Sequence, residues 1–111
     1  MSIFTASALA HPPDSLSMRL DSTGLLTINI FHPVKDQAKH YINKVLVELN
    51  GKTIIEQSLN SQTDKNVQDI IYKIIDAKAK DKIAVTAYCN ITGKKKYTLT
   101  VMEKSETEGQ K

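Results

Sequence analysis

Four side chains in this chain could ligate a soft or borderline metal: His11, His32, His40 and the single cysteine, Cys89. Three imidazoles and a thiolate would fill a tetrahedral shell around Zn²⁺, and Fe²⁺ accepts the same nitrogen and sulfur donors. The spacing is not that of a compact ligand motif. His32 and His40 bracket one polar stretch, while His11 and Cys89 lie far to either side. A plainer reading competes, in which a cysteine on an alternating strand is a small core residue and scattered histidines lie at the surface. Only a fold that gathers distant strand ends decides between the two. Other chemistries have little to work with: no G-x-S-x-G, no glycine-rich phosphate loop and no Ser-His-Asp order stands out, so hydrolase chemistry has no support.

The elements that must position these residues read as short strands. Leu16, Met18 and Leu20 alternate with polar neighbours, as do Leu26, Ile28 and Ile30, and Asp21-Ser22-Thr23-Gly24 between them is turn chemistry. The stretch from His32 to His40 has no apolar period and is expected to be a loop. Val45, Val47 and Leu49 alternate in a third strand, and Asn50-Gly51 then signals a tight hairpin with a return strand over 53–59. Residues 60–66 form a polar connection. Residues 67–75 fit a helical stripe through Val67, Ile70, Ile71, Ile74 and Ile75, but the run is short and isoleucine-rich, which favours a strand. Asp76 to Asp81 is a charged turn. Ile83, Val85, Ala87 and Cys89 share one face of the next strand, and Thr92-Gly93 turns the chain into Tyr97, Leu99 and Val101. Lys94-Lys95-Lys96 is read as a solvated corner, with a cationic rim near Cys89 as the alternative. About seven strands at intervals of roughly 8–12 residues predict an all-β sandwich.

The 111 residues suit one domain, placed at 11–102. A hydrophobic share of 41% with 24% charged residues is globular composition. No apolar run reaches the ~18 residues of a membrane span. The net charge of +3 is small and scattered, and with no Trp, two Phe and four Tyr there are few stacking platforms, so nucleic acid is not expected as a partner. The one cysteine excludes an internal disulfide. Residues 1–10 (MSIFTASALA) end in an A-x-A triplet before His11 and read as a flexible N-terminus or a signal remnant, which leaves cytoplasmic and exported locations both open. The tail 103–111 lacks large apolar residues and is expected to be disordered.

The neighbours of the four ligand candidates add a family resemblance. His11-Pro12-Pro13, His32-Pro33-Val34, His40-Tyr41-Ile42 and Tyr88-Cys89-Asn90-Ile91-Thr92-Gly93 resemble, in this order, the iron-binding domain of the desulfoferrodoxin and neelaredoxin superoxide reductases. The resemblance covers residues 11–101, and every His and the only Cys fall on ligand positions. It implies an immunoglobulin-like β-sandwich of about seven antiparallel strands holding one non-haem iron by imidazoles and an axial thiolate. It further implies reduction of superoxide to peroxide at an open position, an electron donor as partner, and possible homo-oligomers. A thiolate opposite the open position pushes electron density onto the iron, and a mildly basic surface attracts an anion.

The sequence departs from that pattern in three places. Thr92 stands where the family has a fourth His, Leu9 and Ala10 where many members have Glu-Lys, and the His32–His40 loop is two residues longer than the usual spacing. Three His and one Cys could hold iron with water completing the shell, or close into a four-coordinate zinc site without redox chemistry. His32-Pro33, His40-Tyr41-Ile42, Asn50-Gly51-Lys52 and residues 77–83 also resemble the small carrier subunit of the sulfur-oxidation system, a non-catalytic sandwich that binds partners without iron. Relatives of that subunit lack the cysteine, so Cys89 separates the two expectations.

Overall fold

The computed structural model describes residues 11–102. Residues 1–10, with the signal remnant and the Leu9-Ala10 departure, and residues 103–111, with the expected tail, lie outside the described residues. Seven strands follow one another: β1 (Ser15–Leu20), β2 (Leu25–Phe31), β3 (Ile42–Leu49), β4 (Lys52–Ser58), β5 (Val67–Lys73), β6 (Lys82–Cys89) and β7 (Lys94–Thr100). They form a three-stranded sheet, β1-β2-β5, and a four-stranded sheet, β4-β3-β6-β7, with every pairing antiparallel. The connections β2–β3, β4–β5 and β5–β6 each cross between sheets, which gives the immunoglobulin-like layout. No helix among the described residues is long and apolar enough to cross a membrane.

Period-2 alternation builds the core. Leu26, Ile28 and Ile30 of β2 are fully buried, as are Val45 and Val47 of β3 and Ile83, Val85 and Ala87 of β6. Burying a side chain of the Val, Leu or Ile class stabilises by about 1.5–3 kcal/mol, so β2 and β6 are the best-anchored strands of their sheets. β4, at an edge, buries almost nothing and has a register break opposite Val47/Glu48.

Residues 67–75 resolve as a strand that ends at Lys73. Gln68, Ile70 and Ile74 are buried whereas Ile71 is 62% and Ile75 86% exposed, so the apolar residues of this run divide between two faces. That division is what made the helical stripe visible in the sequence. The triple lysine is not a corner: Lys94, Lys95 and Lys96 open β7 opposite Tyr88, Ala87 and Thr86. The turn after Cys89 is tighter than expected, so the strand begins at once.

Two of the three hairpin turns, β3–β4 and β1–β2, show their residue chemistry plainly. Asn50 (φ 50°) and Gly51 (φ 85°) supply the two left-handed positions of a type I′ turn. Asp21 Oδ1 accepts from Thr23 N, Thr23 Oγ1 and Leu25 N, and these hydrogen bonds hold its carboxyl below the usual aspartate range. Lys80, with φ 76°, carries a side chain in a region that disfavours one by about 1–2 kcal/mol. Lys80→Gly removes that strain and gives back roughly 0.4–1 kcal/mol through a freer unfolded chain. The net expectation is a gain of about 0.5–1 kcal/mol, or a Tm rise of roughly 2–8 °C for a domain of this size. A lower Tm in a thermal melt would show that the turn is unstrained.

Candidate metal centre

Two inward-facing rows, one from each sheet, end in ligand candidates. In β2 the row Leu26-Ile28-Ile30 continues one step past the strand to His32, which is fully buried. In β6 the row Ile83-Val85-Ala87 ends at Cys89, 7% exposed. Strand periodicity alone therefore aims an imidazole and a thiol into the space between the sheets. His40 arrives from the loop before β3, where Asp36 caps a turn through its carbonyl to Lys39 N and His40 N. Between Ile42 and Lys44 the register against β6 slips by one residue, a bulge at Asn43 that re-aims the incoming chain. Asn90 fastens that approach: Oδ1 accepts from Tyr41 N, Nδ2 donates to Lys39 O, and its own N donates to Tyr41 O. His11 is brought in by Pro12, which lies against Gly93.

The three imidazoles converge. Ring centroids are 5.0 Å apart for His11–His32, 5.2 Å for His11–His40 and 4.8 Å for His32–His40, and one nitrogen of each lies within 4.8 Å of the others. Cys89 Sγ is 3.2 Å from His40 Nε2, with Ile91 N–H directed at the sulfur at 3.4 Å. Ideal zinc–nitrogen bonds of about 2.0–2.1 Å place nitrogens of a tetrahedron roughly 3.3–3.4 Å apart, so a metal would draw the three rings closer together; Cys89 lies beside His40 but outside the three-histidine cluster. His32 and His40 are buried, against the expectation that scattered histidines sit at the surface, and His11 reaches solvent with 29% of its side chain exposed.

Hydrogen bonding leaves lone pairs turned on one another. The Gln62 amide nitrogen donates to the carbonyls of His32 and Asp64, so its oxygen accepts, and it lies 2.6 Å from His32 Nδ1. His32 thus donates from Nδ1, and in the neutral ring its Nε2 lone pair faces His11 O at 3.2 Å. His11 has a carbonyl beside each ring nitrogen, Pro12 O at 2.8 Å and Pro33 O at 3.1 Å, and a neutral ring can donate to only one. Such facing acceptors are relieved by a second ring proton or by a cation bound among them. This donor chemistry fits a divalent metal.

Burial, and then the neighbouring charges of His32 and His11, push the His40 pKa below its ordinary value of 6.5. The folded state therefore favours neutral His40 while the unfolded chain takes up a proton more readily. The resulting stability is fully present above pH 6.5 and is lost as pH falls through the lower folded value. The Tm of the metal-free protein should accordingly fall between pH 7.5 and pH 5. In His40→Phe this part of the decline should disappear.

Residues outside the four also shape the site. Gln62, in the connection read only as polar, and Asn90 hold ligand candidates or their neighbours in place, and nothing in their local sequence marked the partners they find. Gly93 was legible as a turn glycine but not as the seat of Pro12. Thr92 is exposed in the turn after Cys89. Among the lysines, Lys94 lies over the Tyr88 ring at 5.6 Å with Lys44 over it at 4.5 Å, and Lys96 meets Glu48 at 3.7 Å.

The fold and the clustered side chains define a small antiparallel β-sandwich with a cluster of three histidines at one end. Two solved structures share this fold, both of superoxide reductase (neelaredoxin) from Ignicoccus hospitalis. One matches with TM-score 0.54 and 11% identity over 93% of this chain and 86% of that one. The other has TM-score 0.50 and 12% identity over 89% and 85%. At such identity the likeness is one of fold. No family model and no curated protein matches the chain.

Proposed function

We propose that this chain is a mononuclear metal-binding protein of the superoxide reductase type, with His11, His32, His40 and Cys89 as ligands and iron as the metal. The convergence of three imidazoles, with the Cys89 sulfur beside one of them, His40, carries this reading. The shared fold with two neelaredoxin structures supports it. Bound iron would supply the one-electron couple that takes superoxide to peroxide, with two protons drawn from water and the electron restored by an external donor. The protein's share is to hold the donors. Burial disfavours the charged form of the His40 ring, which favours coordination. Cys89 would supply the soft donor, and His11 is the most solvent-exposed of the four while the other three stay enclosed.

A second reading has its own observation. With Thr92 in place of a fourth imidazole the donor set numbers four, which is also what a closed zinc site requires. Elemental analysis of untagged protein purified without chelator separates the two. About one iron per chain, a thiolate charge-transfer band on oxidation and consumption of superoxide support the reductase reading. Stoichiometric zinc with no such band supports the closed site. Protein that stays metal-free in the presence of excess Fe²⁺ and Zn²⁺ overturns both.

A further inference from the structure

Gln62 is buried to 4% exposure in the connection between β4 and β5, far in sequence from every ligand candidate. A buried primary amide needs an acceptor for each N–H and a donor for its oxygen, and Gln62 has all three. Its Nε2 donates to His32 O at 2.8 Å and to Asp64 O at 3.0 Å, and its Oε1 accepts from His32 Nδ1 at 2.6 Å. It therefore grips both the backbone and the ring of one residue. The connection itself is fastened beside His32: His32 N donates to Asn66 O, Val34 N to Lys65 O and Gln62 N to Gln37 O. The grip is thus part of a short ladder that exists before any metal arrives.

From this geometry we infer that Gln62 is a positioning residue that fixes the tautomer of His32, holding the proton on Nδ1 and presenting Nε2 to the metal. The inference rests on the metal-binding reading for its purpose, but its structural core concerns the metal-free protein. An amide is the side chain that can do this. Glutamate would accept from the ring but could not donate to the two carbonyls, asparagine is a methylene short, and an apolar side chain would leave two buried groups of His32 unsatisfied. Outer partners of this kind set ring orientation and ligand basicity, and their loss typically lowers metal affinity by about 10–100-fold.

Nitrogen-15 NMR of the metal-free full chain reads the tautomer directly. A proton on His32 Nδ1 is expected, and a proton on Nε2 overturns the inference whether or not any variant folds. In Gln62→Met the tautomer should become mixed, and affinity for both Zn²⁺ and Fe²⁺ should fall by about 10–100-fold. A folded Gln62→Met that keeps the Nδ1 proton and the parent affinity also overturns it. Were the parent chain to bind neither metal, the functional reading would fail while the tautomer measurement still decided the role of Gln62.

Discussion

Cys89→Ser is expected to abolish metal-dependent stabilisation while leaving the metal-free protein nearly as stable as before. The sulfur lies 3.2 Å from His40 Nε2 and is almost fully buried, so a hydroxyl of similar size can take its place and still hydrogen-bond to the ring. A serine hydroxyl is a far poorer ligand than a thiolate at neutral pH. Loss of an outer partner already lowers affinity by about 10–100-fold, and loss of a direct ligand should exceed that. Metal at a hundredfold excess over Kd stabilises a protein by about 2.7 kcal/mol. For a domain of this size that is a Tm rise of roughly 10–20 °C, which Cys89→Ser should erase. Paired melts with and without added Zn²⁺ or Fe²⁺ decide the matter. If the variant lowers the metal-free Tm but keeps the metal-dependent rise, Cys89 is a core residue and not a ligand.

Gly93→Ala is expected to damage stability and metal binding together. Gly93 has φ +84°, where a side chain is disfavoured by about 1–2 kcal/mol. A Cβ there would stand 2.6 Å from Pro12 Cβ and 3.1 Å from Pro12 Cα, so Pro12 must move and His11 with it. Gly51 is a matched control. Its φ is +85°, yet a Cβ there meets nothing within 4 Å. Gly51→Ala should therefore lower Tm by roughly 2–8 °C, the backbone strain less what a stiffer unfolded chain gives back, and leave metal affinity unchanged. Gly93→Ala should match or exceed that fall and also weaken metal binding by about tenfold or more. Equal metal affinity in the two variants, measured by calorimetric titration, would remove His11 from the ligand set.

Much of this arrangement could be read from the chain before its folding was known. The alternation through Leu26, Ile28 and Ile30 and through Ile83, Val85, Ala87 and Cys89 places two strands and their inward faces, because the strand period is strict and both rows are buried. Asn50-Gly51 fixes a hairpin because few residues accept two left-handed positions. Residues 67–75 were harder, since β5 presents isoleucines on both faces and so mimics a helical stripe. The four ligand candidates could be named from residue type, but their meeting depends on sheet packing, which no local pattern encodes. Gln62 and Asn90 were beyond reach for the same reason: an amide in a polar loop looks alike whether it faces water or a buried imidazole.

The ligand rows come from opposite sheets, His32 at the end of β2 and Cys89 at the end of β6. With one cysteine the chain has no covalent cross-link between its layers. An ion held by both rows would serve as the rivet, joining segments almost sixty positions apart and shrinking the freedom of the unfolded polymer much as a long cystine loop does. Oxidative or chelating conditions that strip the ion would then let the two leaves splay at that end first.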